Sequence, residues 1–123
     1  NHTGVFTSAD DSPTLDPQPL IEALLNGIEA GAPADRLALG FHIAITHATT
    51  HVACEICERE GLDTVALSGG VFMNRLLLQF LTRELKSTGL TVLVPHTAPV
   101  NDGCIAYGQA AVASARLAQT TSR

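Results

Sequence analysis

The first half of the chain contains two stretches in which apolar residues recur at helical spacing. Asp16 and Pro17 suit the cap and the first position of a helix, and Gly31 is typical of a helix end. We therefore predict a short amphipathic helix between these residues. A second, much longer helix is predicted to begin at Pro33 and to run to about Glu60, where a glycine follows.

The long helix has two largely apolar stripes. Their members are Phe41, Ile45, Ala48, Val52 and Ile56 on one face and Leu39, Ile43, Thr46, Thr50, Cys54 and Cys57 on the other. At about 100° per residue these two sets lie roughly opposite each other on the helix. We therefore expect the helix to be covered on two sides, by a sheet on one face and by another helix or a neighbouring lobe on the other.

The second half of the chain shows the pattern of a strand, a helix, a second strand and a final helix. The β-rich run at residues 63–67 ends in a serine and two glycines, and a helix is predicted over about residues 74–86. A second strand is predicted at residues 90–94, and the alanine-rich run at residues 102–118 predicts a last helix that packs closely on a sheet. Two consecutive strands joined by a helix pair in parallel through a right-handed crossover. The prediction is an α/β fold built on a parallel βαβ unit with packed helices.

The length of the chain suits one domain. Its 123 residues, 46% of them apolar, can form one compact core but not two such domains with a cleft between them, so a single lobe is predicted over residues 1–123. A short strand is predicted at Val5–Thr7, and residues 119–123 are expected to form a frayed tail. The first residues lack a methionine and resemble a segment cut from a longer chain, so a fragment is the expectation.

Charge and cysteine content narrow the classes of partner. Seven basic and 12 acidic residues give a formal net charge of -5 without a cluster of Lys and Arg, which argues against a nucleic-acid partner. No apolar run approaches the roughly 20 residues of a membrane-spanning helix, so no membrane partner is expected. Three cysteines without a secretory leader favour a reducing cytoplasm over a disulfide framework.

The turn Ser68-Gly69-Gly70 is the first candidate for chemistry. It connects the carboxyl end of a predicted strand to the amino end of a predicted helix, where unpaired backbone N–H groups and the helix dipole favour an anion. Glycines allow a phosphate or a ribose to approach the backbone closely. Asn74 is placed to orient such a ligand. A plain tight turn and a helix cap are, however, the simpler roles of the two glycines and of Asn74.

The second candidate is the string Asn101-Asp102-Gly103. A cap at the start of the last predicted helix is its simpler structural role. The functional interpretation is that Asp102 offers a carboxylate oxygen to a metal ion that also holds nucleotide phosphates. Both roles can coexist on one loop. The functional hypothesis requires that this loop and the glycine turn face the same point in space.

These two loops, in this order and on these elements, resemble a known family. The string Ser-Gly-Gly-Val-Phe-x-Asn-Arg at residues 68–75 and the string Asn-Asp-Gly-x-Ile-x-x-Gly-Gln at residues 101–109 are similar to the end of the HypF-type carbamoyltransferases. The likeness extends over about residues 63–113, and Phe41-His42 with the preceding part of its helix resembles the segment before it. The two motifs are specific in combination.

The resemblance implies a fold and an activity. The fold would be a layered α/β lobe of the two-lobed actin-like ATPase (ribonuclease H-like) type. The activity would be that of a hydrogenase-maturation carbamoyltransferase, which uses carbamoyl phosphate and ATP and forms a carbamoyl-adenylate. The carbamoyl group would pass to a cysteine of the partner HypE, for the cyanide ligands of the nickel-iron cofactor. The chain would be inactive alone, because the first lobe and the upstream N-terminal domains are missing from it.

The resemblance also implies site residues. The nucleotide would be lined by Ser68, Gly69, Gly70 and Asn74, and Asp102 would be a ligand of a divalent metal ion. The other metal ligands of the family, a His-x-x-x-His pair, belong to the other lobe. No catalytic residue is assigned to this lobe.

Two alternatives to a HypF-type enzyme stay open. Within the superfamily, the lobe would belong to a tRNA threonylcarbamoyl transferase or to a small-molecule O-carbamoyl transferase, although Phe72 and Gln109 match the HypF pattern better. The alternative of a different class is a non-catalytic domain that docks a maturation partner through the second stripe of the long helix.

Several other polar residues invite a metal or nucleophile interpretation. His47 and His51 are four residues apart and Cys54 and Cys57 form a C-x-x-C, but four ligands on one continuous helix cannot all converge on one ion. Buried free thiols are therefore expected for these two cysteines, and His42 is expected to be packed or hydrogen-bonded. Cys104 stands where the HypF-type family usually has a glycine, so its side chain would narrow the approach to the ligand.

Overall fold

A computed structural model describes residues 5–7, 13–95 and 101–121. In chain order its strands and helices are β1 (Val5–Thr7), β2 (Pro13–Leu15), α1 (Gln18–Glu29), α2 (Ala34–Glu60), β3 (Thr64–Ala66), α3 (Arg75–Ser87), β4 (Thr91–Leu93) and α4 (Ile105–Thr121). Short 3-10 helices at Gly70–Met73 and Asp102–Cys104 precede α3 and α4. Each predicted helix is therefore present, with ends within a few residues of the predicted ones.

The strands form two small sheets. β1 and β2 pair antiparallel, with Val5 opposite Leu15. The sequence pattern does not predict β2, because Pro13 has no N–H and is tolerated in strands mainly at a sheet edge. β3 and β4 pair in parallel, with Val65 opposite Val92, which confirms the predicted βαβ unit.

The core lies where α3 meets the parallel sheet and α2. Leu77, Leu81 and Leu85 recur every four residues on one face of α3, and all three are buried. Leu67, directly after β3, completes this buried cluster. The residues that pack against it include Ile45 and Ala53 of α2, Val65 of β3 and Val92 of β4.

The predicted two-sided burial of α2 applies to its middle and its second half. Its main contacts are with α3, α1 and β2 rather than with the parallel sheet. Leu39, Phe41 and Ile43, near its amino end, each expose more than a third of their surface. The helix ends at Gly61, whose φ of 66° is left-handed and suits glycine. The buried residues of α2 are Thr46, Ala48, Thr50 and Cys57.

α4 is helical as predicted, but its side chains are not buried. From Ile105 to Gln119 every side chain is exposed. The predicted close packing of this helix on a sheet is therefore absent from the described part of the chain. α4 also continues to Thr121, into the segment for which the sequence predicts a frayed tail, and residues 122 and 123 lie outside the described residues. None of the described helices combines the length and the apolarity needed to cross a lipid bilayer.

Candidate functional site

The glycine turn begins where the parallel sheet ends. The N–H of Leu67 still donates to the carbonyl of Leu93 over 2.9 Å, so the sheet ladder extends one residue beyond β3. Ser68 is exposed, and Gly69 follows with φ 117° and ψ 159°. This conformation is essentially limited to glycine. Gly69 is therefore required by the path of the backbone, whatever binds there.

The turn is separated from α3 by a 3-10 helix. The sequence pattern does not predict this 3-10 helix. The N–H of Phe72 donates to the carbonyl of Gly69 over 3.1 Å. The Phe72 side chain is half-buried and packs against the leucine cluster of the core, so it attaches the 3-10 helix to the core. Val71 and Met73 point away from the core, with 60% and 67% of their surface exposed.

The space beside the two glycines is open. A Cβ atom built on Gly69 or on Gly70 would meet no other atom within 4 Å. The turn follows the carboxyl end of β3, and the 3-10 helix lies between it and the amino end of α3. The region outside the carboxyl ends of parallel strands is where α/β folds commonly bind ligands. The backbone here is therefore accessible to a ligand.

Asn74 caps α3 and is tied to α2. Its Oδ1 accepts from the N–H of Leu77 over 3.2 Å, which confirms the simpler of its two predicted roles. Its Nδ2 lies 2.8 Å from Nε2 of His42, and Nδ1 of His42 lies 2.7 Å from the carbonyl oxygen of Ala38. His42 is thus hydrogen-bonded, as predicted. No sequence motif indicated its contact with Asn74, because the two residues are 32 positions apart on different elements.

The second loop has its own cap. Oδ1 of Asn101 accepts from the N–H of Gly103 over 3.1 Å, so the cap of the short 3-10 helix is Asn101. Asp102 is exposed, and its carboxylate has no hydrogen bond or ion pair to any described residue. An exposed and unpaired carboxylate is suited to a hard cation. Cys104 closes the 3-10 helix as a half-buried free thiol.

The two loops meet. Nδ2 of Asn101 lies 3.9 Å from the sulfur of Met73, although the two residues are 28 positions apart. The end of the 3-10 helix that follows the glycine turn is therefore in contact with the residue before Asp102. The contact joins the two loops at one end, and the functional hypothesis further requires that the Asp102 carboxylate face the glycine turn.

The polar residues of α2 have other partners. Nδ1 of His47 contacts a carboxylate oxygen of Glu84 on α3, and Sγ of Cys54 lies 3.5 Å from the hydroxyl of Thr88. Cys57 is a buried free thiol, as predicted, whereas Cys54 is a free thiol that is only half-buried, so its predicted burial is wrong. His51 is exposed. Within the described ranges, no three His, Cys, Asp or Glu side chains are grouped so that they could hold a metal ion. A metal at Asp102 would therefore need ligands from outside these residues.

A family model matches nearly the whole chain. Residues 2–109 match the second subdomain of the Kae1-like domain of carbamoyltransferases. Carbamoyltransferase HypF2 of Cupriavidus necator is 40% identical over 107 residues, which cover 87% of this chain and 13% of that protein. Carbamoyltransferase HypF of Rhizobium leguminosarum is 41% identical over 101 residues, which cover 81% of this chain and 13% of that protein. The chain therefore spans about an eighth of the length of these relatives.

Crystal structures give the same result. Full-length HypF in its phosphate- and nucleotide-bound form superposes with a TM-score of 0.87 at 29% identity, over 95% of this chain and 15% of that one. HypF of T. kodakarensis superposes with a TM-score of 0.74 at 28% identity, over 97% of this chain and 16% of that one. The predicted α/β lobe of the actin-like type is confirmed.

Proposed function

This chain belongs to the HypF carbamoyltransferase family, as the second subdomain of its Kae1-like domain, and we propose that it forms one wall of a nucleotide site in a carbamoyltransferase. The observation that supports the proposal is the contact between Met73 and Asn101, which joins the 3-10 helix after the glycine turn to the residue before Asp102. The crystal structure of a phosphate- and nucleotide-bound HypF, to which this chain is similar, supports a nucleotide as the ligand.

Each loop has a separate role in this proposal. Ser68, Gly69 and Gly70 line the nucleotide, because the open space beside the glycines lets it approach the backbone. Asn74 contacts the same ligand from the start of α3. Asp102 is a ligand of a divalent metal ion, whose positive charge would offset the negative charge of the phosphates. The remaining metal ligands come from the other lobe, as the family resemblance implies.

The complete reaction needs more protein than this chain contains. We propose that the complete enzyme uses carbamoyl phosphate and ATP, forms a carbamoyl-adenylate, and passes the carbamoyl group to a cysteine of HypE. The part of this chain is to bind and orient the nucleotide. Its three cysteines, Cys54, Cys57 and Cys104, are free thiols, which is consistent with a reducing cytoplasm as the compartment.

Replacement of Asp102 by asparagine tests the proposal. The change keeps the shape of the side chain and removes its charge, so we expect metal-dependent ATP binding by the complete protein to weaken by more than about ten-fold. Even outer-shell partners typically change metal affinity by about 10- to 100-fold. Carbamoyl transfer should fall in parallel. Binding would be measured by calorimetry with and without the divalent ion.

The matched control is Glu58→Gln, which neutralises an exposed carboxylate on α2 and should change neither quantity. If Asp102→Asn behaves like this control in both assays, the metal and nucleotide assignment is wrong. If the wild-type protein binds no ATP at all, a non-catalytic docking domain becomes the better interpretation of the fold.

A further inference from the structure

The hydrogen bond between His42 and Asn74 connects the long helix to the glycine turn. His42 lies in the first half of α2, and Asn74 is the cap of α3, directly after the 3-10 helix that follows the turn. Nε2 of His42 and Nδ2 of Asn74 are 2.8 Å apart. The imidazole is also in edge-to-face contact with Phe41, with ring centroids 6.0 Å apart. The contact therefore joins α2 to the start of α3, the helix that follows the turn.

The neighbours of His42 define which ring nitrogen carries the proton. Nδ1 lies 2.7 Å from the carbonyl oxygen of Ala38, which can only accept, so Nδ1 must be the donor. In a neutral imidazole the other nitrogen, Nε2, then has a free lone pair and accepts from the amide of Asn74. With this tautomer of His42 and this orientation of the Asn74 amide, each donor in the network faces an acceptor.

The same network defines the orientation of the Asn74 amide. Its oxygen accepts from the N–H of Leu77 and its nitrogen donates to His42. If the amide were rotated by 180°, its NH2 group would face the N–H of Leu77 and its oxygen would face the lone pair of Nε2 of His42. One N–H and one oxygen lone pair of Asn74 remain unused by these two bonds. Asn74 is exposed, so these two groups are available to a ligand at the turn.

We propose that His42 is a positioning residue of the nucleotide site. His42 holds the side-chain amide of Asn74 so that the remaining N–H and the remaining oxygen lone pair of Asn74 face the ligand. The inference rests on the proposed nucleotide function of the turn. His42 itself touches no ligand in this arrangement, since both of its ring nitrogens are already engaged. His42 therefore increases the affinity for a ligand only by reducing the conformational freedom of the Asn74 side chain.

Two replacements separate this role from packing. His42→Phe keeps an aromatic ring of similar size and removes the acceptor. His42→Gln restores an oxygen close to the position of Nε2, so it can still accept from Asn74. We expect His42→Phe to weaken ATP binding by the complete protein by about two- to ten-fold, the effect of one typical hydrogen bond. His42→Gln should recover most of this loss.

A double-mutant cycle tests whether His42 acts through Asn74. In an Asn74→Ala background, His42→Phe should cause no further loss of ATP affinity, because the group that it positions is gone. An equal loss in both backgrounds would overturn the inference, and so would an unchanged affinity of His42→Phe alone. Thermal unfolding of each variant controls for a loss of folded protein.

Nitrogen-15 NMR of the histidine ring tests the network without any ligand. We expect Nδ1 to be protonated and Nε2 to be unprotonated in the wild type, and the side-chain amide signal of Asn74 to shift in His42→Phe. The opposite tautomer would refute the positioning role even if ATP binds. A wild-type protein with the expected tautomer that binds no ATP would instead refute the nucleotide function of the turn and leave only a structural network.

Discussion

Alanine in place of Gly70 separates a ligand site from a plain tight turn. Gly70 begins the 3-10 helix with a φ outside the left-handed region, and a Cβ atom there meets nothing within 4 Å. The free protein should therefore tolerate the change. Its free energy of unfolding should stay the same or rise by about 0.4–1 kcal/mol, because alanine reduces the freedom of the unfolded chain.

The nucleotide complex should not tolerate the same methyl group. If the ligand lies against the backbone of Gly70, the Cβ atom of alanine occupies space that the ligand needs. An extra methyl group in a packed contact makes the free energy of binding less favourable by about 1–3 kcal/mol. This corresponds to a loss of ATP affinity between about five-fold and about 150-fold. Calorimetric titration of the complete protein with ATP measures the loss, and chemical denaturation measures the stability.

Two other glycines serve as controls. Gly69→Ala should impair both quantities, because φ 117° is strained for alanine by about 1–3 kcal/mol. Gly40→Ala, in the first half of α2 with the same open space around its Cβ, should impair neither. Wild-type ATP affinity in Gly70→Ala, with folding intact, would refute the reasoning, since it would mean that no ligand approaches this part of the backbone.

Two further predictions concern stability. Leu85→Ala should lower the free energy of unfolding by about 2–5 kcal/mol, because Leu85 is 0% exposed at the centre of the core; Leu76→Ala, 38% exposed on the same helix, should cost much less in the same denaturation experiment. Asn74→Ala should lower it by about 1 kcal/mol through loss of the α3 cap, and an unchanged unfolding midpoint would contradict the capping geometry.

Local patterns account for most of what the sequence predicts correctly. The ends of α2 follow from Pro33 and Gly61, and the buried face of α3 follows from leucines at positions 77, 81 and 85. The two candidate loops also follow from local strings. Each of these features depends on residues that are close together in the chain, so periodicity, caps and glycines are sufficient to find them.

The wrong or missing predictions depend on distant partners. The sequence predicts that α4 packs closely on a sheet, yet its alanine-rich surface has no distinct apolar stripe that would specify which face is buried. Tyr107 and Leu117 each expose 70% of their surface. Similarly, β2 depends on its pairing with β1 and not on strand propensity, because it begins with a proline. Propensity cannot reveal either feature, since both are decided by tertiary contacts.

The candidate site combines both kinds of information. Its chemistry is local, since the glycines and Asp102 lie in short strings that can be read directly. Its geometry is not local. The Leu67–Leu93 ladder bond holds the start of the turn, the contact between Met73 and Asn101 joins the second loop to the 3-10 helix after the turn, and the contact between His42 and Asn74 holds the start of α3. Each of these contacts joins residues at least 26 positions apart. A variant that disturbs this geometry from a distance, such as His42→Phe, should therefore weaken ATP binding without changing any residue that we propose to contact the nucleotide.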